Sequence, residues 1–259
     1  MDILLIAGHG AGDPGATGNG YKEADLTREV VAGLKPILSR YVGVDVYNTQ
    51  KKMSNYLANG GRFDFTPYRK VYEVHFNALK GGKSDGKIKG SEILVHSSIL
   101  ENKDVAVKNK AVAVENKILG NLERLGFTNR GVKPRDDLIV MNTCKKQGVP
   151  YALIEVTFID DPDDMKLYKQ KEKEVIKAIA DGIIEGHGWK KEADELTKAD
   201  VIAIIKEYEA EKAKAQGGTW SAEAWKKAKS AGIMDGSAPQ SPATREQVAV
   251  ILDRLKLLD

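Results

Sequence analysis

Two histidines and two carboxylates stand where they could bind a metal ion and hydrolyse a bond. His9 directly follows the first apolar run and opens a glycine-rich segment, Glu23 comes just after that segment, and His75 ends a later apolar run. Glu155 interrupts another apolar run, where an unpaired charge is costly to bury. Two neutral imidazoles and a carboxylate suit a zinc ion that keeps one position open for water, and a second carboxylate beside that water would act as general base.

Each of these residues also has an ordinary structural interpretation. His9 could cap a turn, His75 could fill a gap in the core, and Glu155 could form a structural ion pair. Three such residues at the same kind of strand end favour a shared site, yet residue types and spacing by themselves leave both interpretations open.

The elements that must position these residues alternate between strands and helices over residues 1–188. The predicted strands are Ile3–Ile6, Val44–Tyr47, Val71–Phe76, Glu92–His96, Leu138–Met141 and Ala152–Val156. Helices are predicted from the four-residue spacing that begins at Leu26, over Val105–Leu125 with a stop at Gly126, and from Pro162 toward Gly186. This alternation predicts an α/β fold with a mostly parallel or mixed twisted sheet flanked by helices. Functional groups gather beyond the carboxyl ends of such strands, so His9 and His75 should face one site.

From Trp189 onward the sequence shows no further strand-like run. We therefore expect a catalytic domain at 1–188, a helical linker at 189–217 and a small all-α C-terminal domain at 218–259. Thr244 followed by Gln247 matches the capping box that starts a helix. A core this small is marginal alone, so the module should pack on the linker or on a second copy.

Composition narrows the class of protein further. The 259 residues are 42% hydrophobic and 30% charged, with a formal net charge of +3. That near balance gives no reason to expect nucleic acid as a partner, and the longest apolar run is far shorter than the ~18 residues of a membrane span. Cys144 is the single cysteine, so an intramolecular disulfide is excluded.

Four ordered motifs resemble those of a known enzyme family. They are GHGAGDPGA at 8–16, VHFNA at 74–78, the stretch Arg130–Pro134, and LIEVTFI at 153–159. Together with Glu23 they resemble the zinc-dependent N-acetylmuramoyl-L-alanine amidases of the Amidase_3 type, over roughly residues 1–187. The sequence departs from that family's usual pattern at Glu73, where Ser is common, at Thr157, where Gly is usual, and at Asp160–Asp161, where Asn is common.

The resemblance implies a mechanism and a substrate. A Zn²⁺ ion would be held by His9, Glu23 and His75, Glu155 would be the catalytic acid and base, and Asn77 would orient the site or contact substrate. The bond cleaved would be the amide between N-acetylmuramic acid and L-alanine in bacterial peptidoglycan, as in a phage endolysin. A host autolysin, a zinc peptidase that cuts another wall-peptide bond, and a non-catalytic wall-binding protein are the alternatives. Outside the motifs lie His96, His187 and Cys144, which we expect to be neither ligands nor nucleophiles.

The C-terminal segment carries its own resemblance. Trp220–Gly236 and the TREQ stretch that starts at Thr244 resemble the short modules at the ends of many endolysins and part of an S-layer-homology repeat. This implies binding to a wall polymer, whereas the alternative is a helical pair that forms a small core or a dimer interface. The N-terminus lacks a signal-peptide pattern, so we expect synthesis in the host cytoplasm and action on the wall after release.

Overall fold

The computed structural model describes residues 2–10, 12–48, 50–79, 84, 86–190, 202, 205–211, 218–233, 243 and 245–255. The chain divides into two compact units, Met1–Glu192 and Ala193–Asp259. Within the described residues, no helix combines the length and the apolar character that crossing a membrane requires.

The first unit alternates strands and helices along the chain. Its strands are β1 Asp2–Ala7, β2 Thr17–Gly18, β3 Tyr21–Lys22, β4 Val44–Val46, β5 Tyr68–Asn77, β6 Ser91–His96, β7 Asn129–Arg135 and β8 Tyr151–Phe158. Its helices are α1 Glu23–Leu38, α2 Met53–Ala58, α3 Ser97–Leu100, α4 Val105–Ala111, α5 Ala113–Arg124, α6 Ile139–Lys146, α7 Pro162–Gln170 and α8 Glu172–His187.

Six strands form one mixed sheet in the order β4-β1-β5-β8-β6-β7, and β2 pairs with β3 as a separate small ribbon. Every neighbouring pair in the large sheet is parallel except β6 and β8. The predicted fold class, an α/β fold with a mixed sheet between helices, is confirmed. Pro134 lies in β7, the edge strand, where the missing amide proton is tolerated.

The two faces of the sheet carry separate cores because successive side chains of a strand point to opposite faces. On one face, α1, α5 and α8 pack through buried residues such as Val30, Ile118 and Ile179. On the other face, α2 and α6 contribute Met53, Val140, Met141 and Cys144, which pack against alternate strand residues that include Leu4, Ile6, Val71 and Leu153. Both sets of strand residues are apolar, as expected for a sheet that helices cover on both sides.

The prediction of a strand at Leu138–Met141 is wrong. The segment belongs to helix α6, which runs from Ile139 to Lys146. A four-residue apolar run fits either a strand or a buried helix. The helix is the correct assignment because Val140, Met141 and Cys144 share one buried face, whereas Ile139 is exposed. The strand of this region is β7, whose polar sequence gave no strand signal.

Two helices expected to be continuous are interrupted. The helix predicted over Val105–Leu125 is broken at Val112 into α4 and α5, and the helix after Pro162 is broken at Lys171 into α7 and α8. Gly126 follows the end of α5 with a φ of 107°, as its predicted role as a stop requires.

In the second unit, the described residues form helices and a 3₁₀ turn. Residues 205–211 are helical, Thr219–Ser221 forms the turn, and two helices span Ala222–Ser230 and Arg245–Arg254. Most of the predicted linker, the 234–236 part of the GIMDG stretch and the capping box at Thr244 lie outside the described residues. The predicted borders at 188 and 218 stay predictions.

The C-terminal end of α8 contains a partly buried histidine with a perturbed pKa. The Tyr72 hydroxyl lies 2.8 Å from His187 Nε2, and the Trp189 ring stacks on the imidazole at 4.3 Å between centroids. Burial lowers the pKa of His187 to about 4, and the positive charges of Lys70 and Arg69 act in the same direction.

We expect His187 to make the fold less stable as the pH falls from about 6.5 toward 4. Over that range the unfolded chain binds a proton that the folded protein excludes, so protonation favours unfolding. Urea titrations of the wild-type protein and the His187→Gln variant at pH 7 and pH 5 check this. The variant should lose less stability between the two pH values, and an identical loss in both proteins would contradict the assignment.

Candidate active site

Three adjacent parallel strands bring the predicted site residues to one end of the sheet. β5 lies between β1 and β8. His9 follows the end of β1 by two residues, and the register pairs Ala7 with Val74 and His75 with Glu155. The carboxyl ends of parallel strands lie at the same end of the sheet, so His9, His75 and Glu155 lie close together, as predicted.

The site lies on the sheet face that α2 and α6 cover. Val71 and Leu153 belong to the core beneath these helices. By alternation along regular strands, His75 and Glu155 point to the same face, further toward the carboxyl ends. Both residues are partly exposed, so the core ends where the site begins.

The glycine-rich segment allows the loop to pass close to the imidazoles. A Cβ at Gly8 would lie 2.5 Å from the His75 ring. Gly15 has a φ of 69°, and a Cβ there would lie 2.6 Å from His9 Cδ2 and 2.7 Å from Glu23 Oε2. His9 itself has a φ of 64°, a strained conformation for a residue with a side chain. The loop conformation therefore depends on glycine at positions 8 and 15.

Glu23 lies between the two imidazoles. Its Oε2 is 3.0 Å from His9 Nε2, and its Oε1 is 2.8 Å from His75 Nδ1. The carboxylate also accepts hydrogen bonds from the backbone amides of Ala16 and Phe76, at 2.9 and 3.1 Å. Glu23 is the first residue of α1 and is only 4% exposed. It is therefore held in one orientation with an oxygen toward each ring.

The donor atoms of these three residues could hold a metal ion. One atom each from His9, Glu23 and His75 all lie within 4.8 Å of one another, and no other such group of three occurs among the described residues. This is the set that the sequence motifs suggested. The two imidazole rings are 5.0 Å apart between centroids and meet edge to face.

The charges of the group are strongly coupled. Burial raises the pKa of Glu23, but hydrogen bonds from His75 and His9 outweigh it and hold the pKa far below the usual range. For His75, burial lowers the pKa, whereas hydrogen bonds to Glu23 and Glu73 raise it well above the usual value. Glu23 is therefore ionised, and its negative charge favours a positively charged group next to it.

Asp13 supports His9 from the opposite side of the ring. Its Oδ2 lies 3.0 Å from His9 Nδ1 and also bonds the Lys52 ammonium group, while Oδ1 accepts the amide of Gly15 at 3.1 Å. Burial opposes ionisation of Asp13, but the bonds from Lys52 and His9 lower its pKa far below the usual range. Asp13 is part of the GHGAGDPGA motif, which gave no hint of this role.

Glu155 differs from Glu23, Asp13 and Glu73, whose two oxygens all have partners. Its Oε2 is buried and has no hydrogen-bond partner among the described residues. Burial raises the pKa of Glu155 to about 7, with His75 opposing this and Glu23 and Glu92 adding to it. A carboxyl group that changes its protonation near neutral pH suits the transfer of a proton.

Asn77 is bonded within the protein. Its Nδ2 donates to Glu92 Oε1 at 2.9 Å, its Oδ1 accepts the Ala78 amide at 2.9 Å, and Glu92 Oε2 in turn accepts from Arg130 at 2.8 Å. The substrate contact predicted for Asn77 stays a prediction. Sequence reasoning missed Glu92 and Glu73, and the signal that could have found Glu73 is its position two residues before His75 on the same strand face.

The residues expected to stand outside the site have other partners. His187 contacts Tyr72 as described above. His96 ends β6, which runs antiparallel to β8, and its Nε2 lies 2.9 Å from Lys145 Nζ. Cys144 is fully buried in the core under α6, and burial raises the pKa of its thiol.

Comparison with known proteins identifies the class of this fold and site. Residues 3–185 match the family model described as N-acetylmuramoyl-L-alanine amidase. The chain therefore belongs to the N-acetylmuramoyl-L-alanine amidase family, Amidase_3. It is an amidase hydrolase of peptidoglycan, as the sequence motifs implied.

Individual relatives agree with this assignment. The chain is 29% identical over 200 residues to the endolysin of Bacillus phage SPP1, a match that covers 74% of this chain and 68% of the phage protein. It is also 29% identical to the probable autolysin PH of Staphylococcus aureus, over 71% of this chain but only 38% of that protein. Among solved structures, the catalytic domain of the CD27L endolysin, which targets Clostridia difficile, is 26% identical with a TM-score of 0.55, covering 71% of this chain and 97% of that domain.

Two glycines of the loop provide a matched test of the site geometry. Gly12 and Gly15 both have positive φ, at 79° and 69°, but a Cβ at Gly12 meets nothing within 4 Å. Both alanine substitutions should cost about 1–2 kcal/mol of backbone strain. Gly15→Ala should in addition push His9 and Glu23 apart, so amidase activity and binding of added zinc should fall far more than in Gly12→Ala. Equal losses in the two variants would show that the close approach at Gly15 does not matter.

Proposed function

We propose that the protein binds Zn²⁺ through His9, Glu23 and His75 and hydrolyses the amide between N-acetylmuramic acid and L-alanine. The observation that carries this proposal is the convergence of these three side chains, from the end of β1, the start of α1 and the end of β5, on one partly exposed point. The family membership of the chain supports the same reaction class.

The donor set fits zinc. Two imidazole nitrogens and one carboxylate oxygen are the kind of three-residue set that catalytic zinc sites use, with a fourth position left for water. Asp13 and Glu73 contact the remaining ring nitrogens of His9 and His75, at 3.0 and 3.1 Å. Such partners fix the orientation of ligand imidazoles.

When bound, zinc would polarise the scissile carbonyl and lower the pKa of water. Glu155 lies beside His75 in the register, and its Oε2 has no hydrogen-bond partner in the described part of the chain, so it accepts the proton of the attacking water. The same carboxyl group then protonates the departing L-alanine nitrogen. Water attacks directly, so the reaction needs no nucleophilic side chain, which agrees with the burial of Cys144.

The Glu155→Gln variant tests this role. It removes the proton acceptor but leaves the three proposed ligands intact. We therefore expect an unchanged zinc content and a hydrolysis rate about 10²- to 10⁴-fold lower. Zinc is measured by elemental analysis and the rate by release of soluble fragments from purified peptidoglycan. Lysis at the wild-type rate would exclude Glu155 as the base.

The bond that is cut can be read from the products. Mass spectrometry of digested peptidoglycan should show new free N-terminal L-alanine and intact glycan strands whose muramic acid residues have a free lactyl carboxyl group. Intact muramyl–alanine linkages together with shortened stem peptides would instead support the zinc peptidase.

We further propose that residues 218–259 bind a wall polymer. The support is the resemblance noted above, together with exposed apolar side chains on the helix that starts at Arg245, namely Val248 and Val250. A dimer through the C-terminal helices would bury the same side chains. The similarity to a phage endolysin supports a role in lysis after release from the host cytoplasm.

Truncation after about residue 190 separates the two functions of the chain. The truncated protein should still cleave soluble peptidoglycan fragments, because the proposed site lies within the first unit. It should pellet less with intact cell walls than the full chain. Undiminished pelleting would contradict wall binding, and sedimentation of the full chain would reveal a dimer.

A further inference from the structure

Both imidazoles of the proposed zinc site have a carboxylate on each side. In His9, Nε2 faces Glu23 and Nδ1 faces Asp13. In His75 the roles of the nitrogens are reversed, because Nδ1 faces Glu23 at 2.8 Å and Nε2 faces Glu73 Oε1 at 3.1 Å. Glu73 is thus the counterpart of Asp13 on the second imidazole.

Glu73 differs from Asp13 in its surroundings. It lies in the middle of β5 and is 6% exposed, on the same strand face as His75. Its Oε2 accepts a hydrogen bond of 2.5 Å from the Tyr151 hydroxyl. Tyr151 belongs to the core under α6 and is itself buried. A buried carboxylate is costly unless its oxygens are bonded, and here each oxygen has one donor.

We propose that Glu73, held by Tyr151, is a positioning residue that sets the orientation and tautomer of His75. With zinc bound, a carboxylate at Nε2 would accept the ring proton there, so that Nδ1 would be the nitrogen that gives up its proton and faces the point shared with Glu23 and His9. The inference rests on the zinc site proposed above and adds to it a buried Tyr151–Glu73–His75 chain of hydrogen bonds. The side-chain contacts of Glu73 are with His75 and Tyr151, so we assign it a role that acts through His75.

The chain of contacts predicts a graded effect on zinc affinity. Partners of this kind typically contribute about 10–100-fold to the affinity for a metal. Glu73→Ala leaves Nε2 without its acceptor, so its zinc dissociation constant should rise by that factor. Glu73→Gln retains an acceptor oxygen without the charge and should recover part of the loss. Tyr151→Phe removes only the hydrogen bond from the Tyr151 hydroxyl to the Glu73 carboxylate, so it should raise the zinc dissociation constant by a smaller factor.

The experiment uses the full chain stripped of metal and titrated with Zn²⁺ against a chromophoric chelator, with thermal unfolding recorded in parallel. The matched control is Glu115→Gln, since Glu115 is also a buried carboxylate with a partner on β5, namely Lys70 near the opposite end of that strand. This control should lower the melting temperature and leave zinc affinity at the wild-type value.

The outcomes separate the two proposals. Weaker zinc binding in Glu73→Gln and Tyr151→Phe, with the Glu115→Gln control unchanged, supports the positioning role even where Glu73→Ala does not fold. Wild-type zinc affinity in both milder variants overturns it and leaves the zinc site standing. A wild-type protein that binds no zinc overturns the zinc site and the role of Glu73 with it.

Discussion

The catalytic unit is organised around the burial of one carboxylate, Glu23. A charge that is 4% exposed requires compensation. Two backbone amides and two imidazoles supply it here, and the same arrangement leaves two ring nitrogens and an oxygen close enough to share a divalent cation. The same two imidazoles therefore stabilise the buried charge and offer ligands for a metal ion. Removing either imidazole would take a partner from Glu23 as well as removing a ligand.

This arrangement is possible because three distant segments end at one place. Parallel pairing of β1 with β5 aligns the end of one strand with the end of the next, and the loop after β1 turns back so that α1 begins at Glu23. The close approach of the loop to the two imidazoles leaves no room for a side chain at positions 8 and 15. Backbone strain at His9, whose φ is positive, is the cost of directing its imidazole toward Glu23.

The sequence predicts those elements and site residues that leave a local or repeated pattern in it, such as an apolar run or a charged residue within one. Long apolar runs identified β1, β5 and β8, and the charged residue inside the last of these drew attention to Glu155. Leu138–Met141 was misassigned because four apolar residues carry no period, and β7 was missed because its polar residues lie at the edge of the sheet. The roles of Asp13 and Glu73 depend on which ring nitrogen faces which carboxylate, a relation in three dimensions that no spacing encodes.

The two faces of the sheet have different roles. On one face, the strand side chains pack against α1, α5 and α8 and form a core. On the other face, α2 and α6 cover Val71 and Leu153. The residues that follow on this face of the same strands, Glu73 and His75 in β5 and Glu155 in β8, belong to the site. Since Tyr151 belongs to that core and bonds Glu73, packing under α6 and the orientation of a proposed ligand are mechanically connected. The buried Oε2 of Glu155 has no hydrogen-bond partner among the described residues, and a buried polar atom of this kind is usually satisfied by a water molecule or a ligand.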